Sequence, residues 1–330
     1  MQYRQLGESD VKVSAVTMGC WAIGGRWWGG TDDAKAIAAI HKAIDVGMTS
    51  FDSAPAYGFG HSESVIGQAI KGRRDKVQLL TKYGLNWEVE KGEYYFSAED
   101  DDGVNRRVYR HAGKDAVIRE CEQSLERLGT DYIDVYQCHW RDPTTPVEET
   151  MEAMVRLIEA GKVRAAGVSN FTVEEMEACR EVVPLASDQP PYSMVKRDIE
   201  ADVLPYCRQN NIGVVVYSPM QLGLLSGRLT MDRKFPEGDM RADSAYFSPE
   251  NRRRVIAFCD SLRPIAAAHG ATVAQLVINW TIRRPGITAA LVGARNPAQA
   301  QENAAASELT LTEDETARID TLVEELKLEL

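Results

Sequence analysis

The chain has 330 residues, 44% hydrophobic and 26% charged, with a formal net charge of −11. This is ordinary globular composition, and the length suits a single domain over residues 1–330 built as one α/β barrel with added loops. The acidic balance excludes a nucleic-acid partner of the usual kind, because neutralising a phosphate backbone takes a basic face. The run Arg252-Arg253-Arg254 is too short to reverse it and reads as a solvated helix face.

In chain order, β-branched and apolar runs mark buried strands near Val16 and Phe51, then at Val77–Leu80, Ile133–Tyr136, Val163–Val168, near Ala186, at Val214–Tyr217 and at Ala289–Val292. Amphipathic helices lie between them. Val117, Cys121, Leu125 and Leu128 share one face ahead of Gly129, and Val147, Met151, Met154 and Ile158 do so ahead of Gly161, each glycine a C-terminal cap. Thr172 with Glu175, Thr272 with Gln275 and Thr312 with Glu315 have the spacing of capping boxes. Strands alternating with helices imply a parallel sheet, and about eight strands predict a closed (β/α)8 barrel. An open dinucleotide-binding sheet would want G-x-G-x-x-G after the first strand, which Gly24-Gly25 and Gly29-Gly30 do not supply.

Two long loops follow strands three and seven, over residues 84–113 and 218–250, so both belong on the catalytic face. The first carries Trp87, Tyr94, Tyr95 and Phe96 and reads as a lid that sets substrate range. Its acidic run Asp100-Asp101-Asp102 lacks the alternating oxygen ligands of a calcium loop and reads as solvated loop.

Six cysteines fall neither in C-x-x-C nor at zinc-ligand spacing, so no metal site is expected and they read as reduced packing residues of a cytoplasmic protein. The N-terminus lacks an apolar signal core, and no apolar run approaches the ~20 residues of a membrane span. No self-complementary patch is legible, so the sequence does not specify an oligomeric state.

Barrel enzymes work at the C-terminal ends of their strands. There the sequence places Asp52 and Tyr57 after strand two, Lys82 after strand three, His139-Trp140 after strand four, Ser169-Asn170 after strand five, Gln189 after strand six, Tyr217-Ser218-Pro219 after strand seven and Gly293-Ala294-Arg295 after strand eight. An ammonium beside a phenol favours the phenolate and lowers its pKa, which suits Tyr57 to acid work near neutrality. Asp52 would keep Lys82 charged, and His139 would polarise a carbonyl.

At these residues the chain resembles the aldo-keto reductases. Asp52, Tyr57, Lys82 and His139 match the family's tetrad in order and context. Gly60-His61-Ser62-Glu63, Gly167-Val168-Ser169-Asn170 and Gly223-Leu224-Leu225-Ser226-Gly227 extend the match, which runs from Leu6 to Asn303 and looks nearest the bacterial general-stress-protein and inositol-operon reductase branch. The resemblance implies NADPH-dependent reduction of a small aldehyde or ketone, with Tyr57 as the proton donor. It implies cofactor contacts from Gly19, Trp21 and Asp52. Ser169, Asn170 and Gln189 would hold the carboxamide, and Tyr217 would lie under the nicotinamide ring. Ser218, Leu222, Gly223, Leu224, Ser226 and Arg228 would wrap the pyrophosphate, with Gly293, Arg295, Gln299, Glu302 and Asn303 at the adenosine end. Arg295 is the implied 2′-phosphate partner; Asn296 stands where many relatives carry a second cation. Trp21, Trp28, Tyr57 and Trp140 would wall the substrate pocket. Two other readings are a redox-sensing, NADPH-binding regulatory subunit with little turnover, and a Schiff-base lyase using Lys82. Asp52 disfavours the second, because it disfavours a neutral amine.

Overall fold

The computed structural model describes residues 1–330 except Arg26, Trp27, Asp101 and Glu237, so the middle of the acidic run lies outside the described residues. Eight strands close a barrel: β1 Val16–Gly19, β2 Ser50–Asp52, β3 Gln78–Tyr83, β4 Ile133–Cys138, β5 Val163–Ser169, β6 Leu185–Gln189, β7 Gly213–Val216 and β8 Ile287–Gly293. Every neighbouring pair is parallel, and β8 pairs back onto β1. Helices follow the strands: α1 Asp33–Asp45, α2 His61–Ile70, α3 Lys114–Leu128, α4 Val147–Glu159, α5 Val173–Arg180, α6 Val203–Gln209, α7 Pro249–Ala268 and α8 Val273–Arg283 between them, and α9 Pro297–Ala305 and α10 Glu313–Glu325 after β8. The three expected capping boxes start α5, α8 and α10, each with both reciprocal hydrogen bonds in place. Gly129 and Gly161 end α3 and α4 with positive φ. No single helix among the described residues is long and apolar enough to cross a membrane.

Strand periodicity separates two cores. Outward side chains pack on the helix ring. Inward ones form a smaller cluster in which Leu80, Val135, Ala165, Val215 and Ala289 meet Leu6, Val11 and Val13. Leu6 and Val11 lie in and beside the turn of an N-terminal hairpin (Tyr3–Gln5 with Lys12–Ser14), and Val13 lies on its second strand; the hairpin plugs the barrel floor. At the upper ends of four strands the inward positions turn polar: Lys82, Gln137, Ser169 and Tyr217 stand above Leu80, Val135, Gly167 and Val215, whereas Leu291 above Ala289 stays apolar. This polar layer is the base of the site.

Residues 84–113 are not a loop. Leu85–Asn86, Glu93–Glu99 and Asn105–Arg110 form a three-stranded antiparallel sheet with the last strand in the middle. Its pattern is hard to read because the sheet packs its aromatics sideways: Arg110 lies 4.4 Å from the Tyr95 ring centroid and 5.3 Å from that of Trp140, and Arg107 lies against Tyr94 and Tyr109. Asp100 shapes the hairpin turn. Asp100 Oδ1 accepts from Asp102 N and Val104 N, and Gly103 takes a φ of 76°. The segment expected to run to residue 250 ends earlier, because Ser248 caps α7 by accepting from Asn251 N.

Candidate active site

Register brings the expected residues together. Lys82 pairs with Gln137, and Gln137 with Gly167, across β3, β4 and β5, while Asp52 sits one strand away on β2. Lys82 is fully buried. Its Nζ donates to Asp52 Oδ1 at 2.6 Å, Ser53 O at 2.8 Å and Tyr57 Oη at 3.3 Å. Three acceptors around one ammonium leave it no freedom to turn.

Tyr57 rides on a tight turn closed by Tyr57 N donating to Ala54 O. The turn is pressed against the backbone at Gly24, where a Cβ would stand 2.6 Å from the carbonyl carbon of Tyr57. Ser53 Oγ donates to Ser62 Oγ, which donates to Cys20 O, tying that turn to α2 and β1. His139 leaves β4 with its ring edge-on to Tyr57, centroids 5.8 Å apart.

Charge states follow from burial and neighbours. Burial works against the Lys82 ammonium, but Asp52 and Tyr57 outweigh it and raise its pKa above the ordinary value. Tyr57 does not have the lowered pKa expected from its Lys82 neighbour. Burial raises the phenol pKa more than Lys82 lowers it, so the net shift is upward and the proton is held firmly. Burial, helped by Lys82, holds His139 well below the usual histidine range, so its ring is neutral near pH 7.

A chain of amides backs this group. Gln189 Nε2 donates to Asp52 Oδ2 at 2.7 Å and to Gln137 Oε1 at 3.1 Å, and Gln137 Nε2 donates to Asp52 Oδ2 at 3.1 Å. Gly167 makes room for this: a Cβ there would lie 2.9 Å from Gln137 Cγ. On the other side, Asn170 donates to Ser169 Oγ and His139 O and accepts from Tyr217 Oη.

Above this layer opens a cavity of about 510 Å³. Tyr57, His139 and Asp52 reach it, and Lys82 acts from behind them. Every candidate cofactor residue lines it except Leu224, whose side chain is fully buried in the outer core. The Leu224 side chain thus anchors its loop in the core, which leaves its backbone as the part that could meet a cofactor. Trp21, Trp28 and Trp140 line the cavity with Tyr95 and Phe96 from the three-stranded sheet, whereas Trp87 packs on Phe59 and Tyr94 is exposed.

At the far end the cations differ. Arg228 is clamped to Glu302, both Glu302 oxygens 2.7 Å from Arg228 Nη2. Arg295 has no carboxylate partner among the described residues and donates Nη1 to Trp28 O at 3.1 Å. The connecting loop holds Ser218, Gln221 and Leu222 at φ of 56°, 45° and 56°, a left-handed backbone that non-glycine residues adopt where a loop is shaped for a task. Sequence reading assigned Gln137 no role, although it is next to last in β4 and two residues before His139. It also missed Arg241, which lines the cavity, pairs with Asp239 and lies 5.2 Å from the Trp28 ring; its one signal was its place in the 218–250 segment.

Residues 15–324 match the Aldo/keto reductase family. The chain belongs to that family. The aldo-keto reductase YhdN of Bacillus subtilis (strain 168) is 39% identical over 98% of this chain and 94% of its own length. The NADH-specific methylglyoxal reductase of Escherichia coli (strain K12) is 34% identical over 98% of both. Among solved structures, the glycerol dehydrogenase AKR11B4 of Gluconobacter oxydans superposes with a TM-score of 0.88 at 35% identity, over 98% of this chain and 95% of that one. A Klebsiella pneumoniae aldo-keto reductase in complex with NADPH does so with a TM-score of 0.72 at 33% identity over both whole chains. This aldo-keto reductase is thus an oxidoreductase of a family that acts on small carbonyl compounds with a nicotinamide cofactor.

Proposed function

We propose that the chain reduces an aldehyde or ketone to the alcohol with NADPH, Tyr57 giving the proton. The observation that carries this reading is the fully buried Lys82 ammonium, held by Asp52 and Ser53 O within 3.3 Å of Tyr57 Oη at the foot of the cavity. Burial keeps Tyr57 protonated and loaded as an acid at neutral pH. The ammonium stabilises the phenolate left when that proton goes to the substrate oxygen. Neutral His139 offers a ring N–H to the same oxygen and polarises the carbonyl. Asp52 keeps Lys82 charged, which argues against a Schiff base there.

The chemistry of the lining fits a dinucleotide. Amide and hydroxyl groups of Ser169, Asn170 and Gln189 would hold its carboxamide, and Tyr217 would support the ring. The left-handed loop from Ser218 to Ser226 would hold the pyrophosphate, and Arg295 the 2′-phosphate, which its planar guanidinium suits. Bound there, the nicotinamide supplies the hydride. Preference for NADPH rests on Arg295 being without a carboxylate partner among the described residues while Arg228 is tied to Glu302.

The test is NADPH oxidation with 4-nitrobenzaldehyde, wild type beside Tyr57→Phe. Turnover is expected in wild type and a loss of about 10²-fold or more in the variant, with NADPH binding kept. Equal turnover in both would overturn the assignment of Tyr57. NADPH binding without turnover of any carbonyl would favour a regulatory subunit.

A further inference from the structure

The polar layer beneath the cavity has a direction, and Asp52 is its source. A carboxylate can only accept hydrogen bonds, so both amides that reach Asp52 Oδ2 turn their nitrogens to it: Gln137 at 3.1 Å and Gln189 at 2.7 Å. With its nitrogen so placed, Gln137 has its oxygen turned away from the charge. That oxygen accepts the second N–H of Gln189 at 3.1 Å. Both hydrogens of the Gln189 amide are then used inside the protein, while its oxygen accepts nothing from the described residues. Gln189 lines the cavity; Gln137, fully buried, does not. Turning the Gln189 amide over would set its oxygen against Asp52 Oδ2 and Gln137 Oε1, two acceptors facing an acceptor. Gly167 leaves the space in which Gln137 bridges the other two, since a Cβ there would stand 2.7 Å from Ser187 Oγ and 2.9 Å from Gln137 Cγ.

Resting on the cofactor reading above, we propose that Gln137 is a positioning residue for the nicotinamide end of the site. It carries the orientation set by Asp52 to Gln189, so that the Gln189 oxygen faces the cavity as an acceptor for a primary carboxamide. Gln137 itself touches neither cofactor nor substrate. Without it, Gln189 has a buried N–H with no acceptor and only one contact holding its orientation.

Gln137→Glu and Gln137→Met test this through NADPH affinity, read by cofactor fluorescence without substrate. In Gln137→Glu the introduced carboxyl, when protonated, can copy the native amide: its O–H donates to Asp52 and its carbonyl accepts from Gln189. Ionised, it would set a second carboxylate against Asp52, and two such groups hold one proton between them until the pH is raised. The Gln137→Glu variant is therefore expected to bind NADPH nearly as wild type does at about pH 5.5 and at least about tenfold more weakly, relative to wild type, near pH 9. Gln137→Met, which does not titrate, is expected to bind about tenfold more weakly at every pH. In both variants the loss falls on cofactor affinity, with KM for the carbonyl little changed. If Gln137→Met fails to fold, the acid recovery of Gln137→Glu still decides the matter. Wild-type affinity in both variants at all pH values, or a loss in Gln137→Glu that does not recover in acid, would overturn the assignment while wild type still binds. Wild type binding neither NADPH nor NADH would overturn the cofactor reading itself.

Discussion

Asp188 is fully buried on β6, beside Gln189 in sequence but facing the other way. It pairs with Val168, a residue of the outer core, and faces Cys207 on α6, whose thiol pKa is raised first by burial and further by Asp188 when that carboxyl ionises. Burial pushes its carboxyl up to about 8; the Gln189 and Phe171 N–H groups pull it down, but neither makes a hydrogen bond of normal geometry to it. The native state therefore holds a proton that the unfolded chain, with an ordinary value of 3.8, releases at neutral pH. The native carboxyl is the weaker acid, so its contribution is most favourable below about pH 3.8 and is lost as pH rises toward about 8. At about 1.4 kcal/mol per pH unit the cost is about 2 kcal/mol at pH 5.5 and about 4 kcal/mol at pH 7. Asp188→Asn keeps nearly the shape of the protonated acid and removes the proton uptake, at the cost of one further buried N–H. It is expected to stabilise the protein by up to about 4 kcal/mol at pH 7. With an unfolding entropy of about 2.1 cal/mol/K for each of 330 residues, that raises Tm by up to about 6 °C. The gain should roughly halve at pH 5.5. Calorimetric melting of both proteins at the two pH values checks this; no gain at pH 7, or an equal gain at both, would refute the reasoning.

Lys82→Met should remove the cation from a buried Asp52 and cost about 3–5 kcal/mol of stability, read by denaturant unfolding, while lowering turnover by about 10²-fold or more. Arg295→Ala should lower the NADPH-to-NADH ratio of kcat/KM by about tenfold or more, since the lost contact is charged; an unchanged ratio would remove Arg295 from cofactor recognition. Gly24→Ala would drive a Cβ to within 2.6 Å of the Tyr57 carbonyl carbon. Because that neighbour is backbone, Tyr57 must shift, and kcat is expected to fall by about tenfold or more with cofactor affinity largely kept.

The barrel strands, the capped helices and the group of Asp52, Tyr57, Lys82 and His139 were legible because each is a local pattern. Apolar runs mark strands buried on both faces, a threonine three residues before a carboxylate or amide marks a helix start, and polar residues after strands mark the working rim. The chain by itself therefore determined which element each of these side chains rides on. What only the tertiary structure decided is everything that depends on neighbours from other strands. The sheet over residues 85–110 escaped reading because it is held by Arg107 and Arg110 against aromatic rings, leaving no clean alternation. The Leu224 side chain turns into the outer core and anchors the 218–226 loop, which no local pattern showed. Gln137 sits beside the His139 motif without a role of its own there, and its meaning appears only where β4 pairs with β3 and β5. The direction of the Tyr57 shift lies in the same class: the Lys82 neighbour could be inferred from sequence, but the burial that outweighs it is a property of the closed barrel.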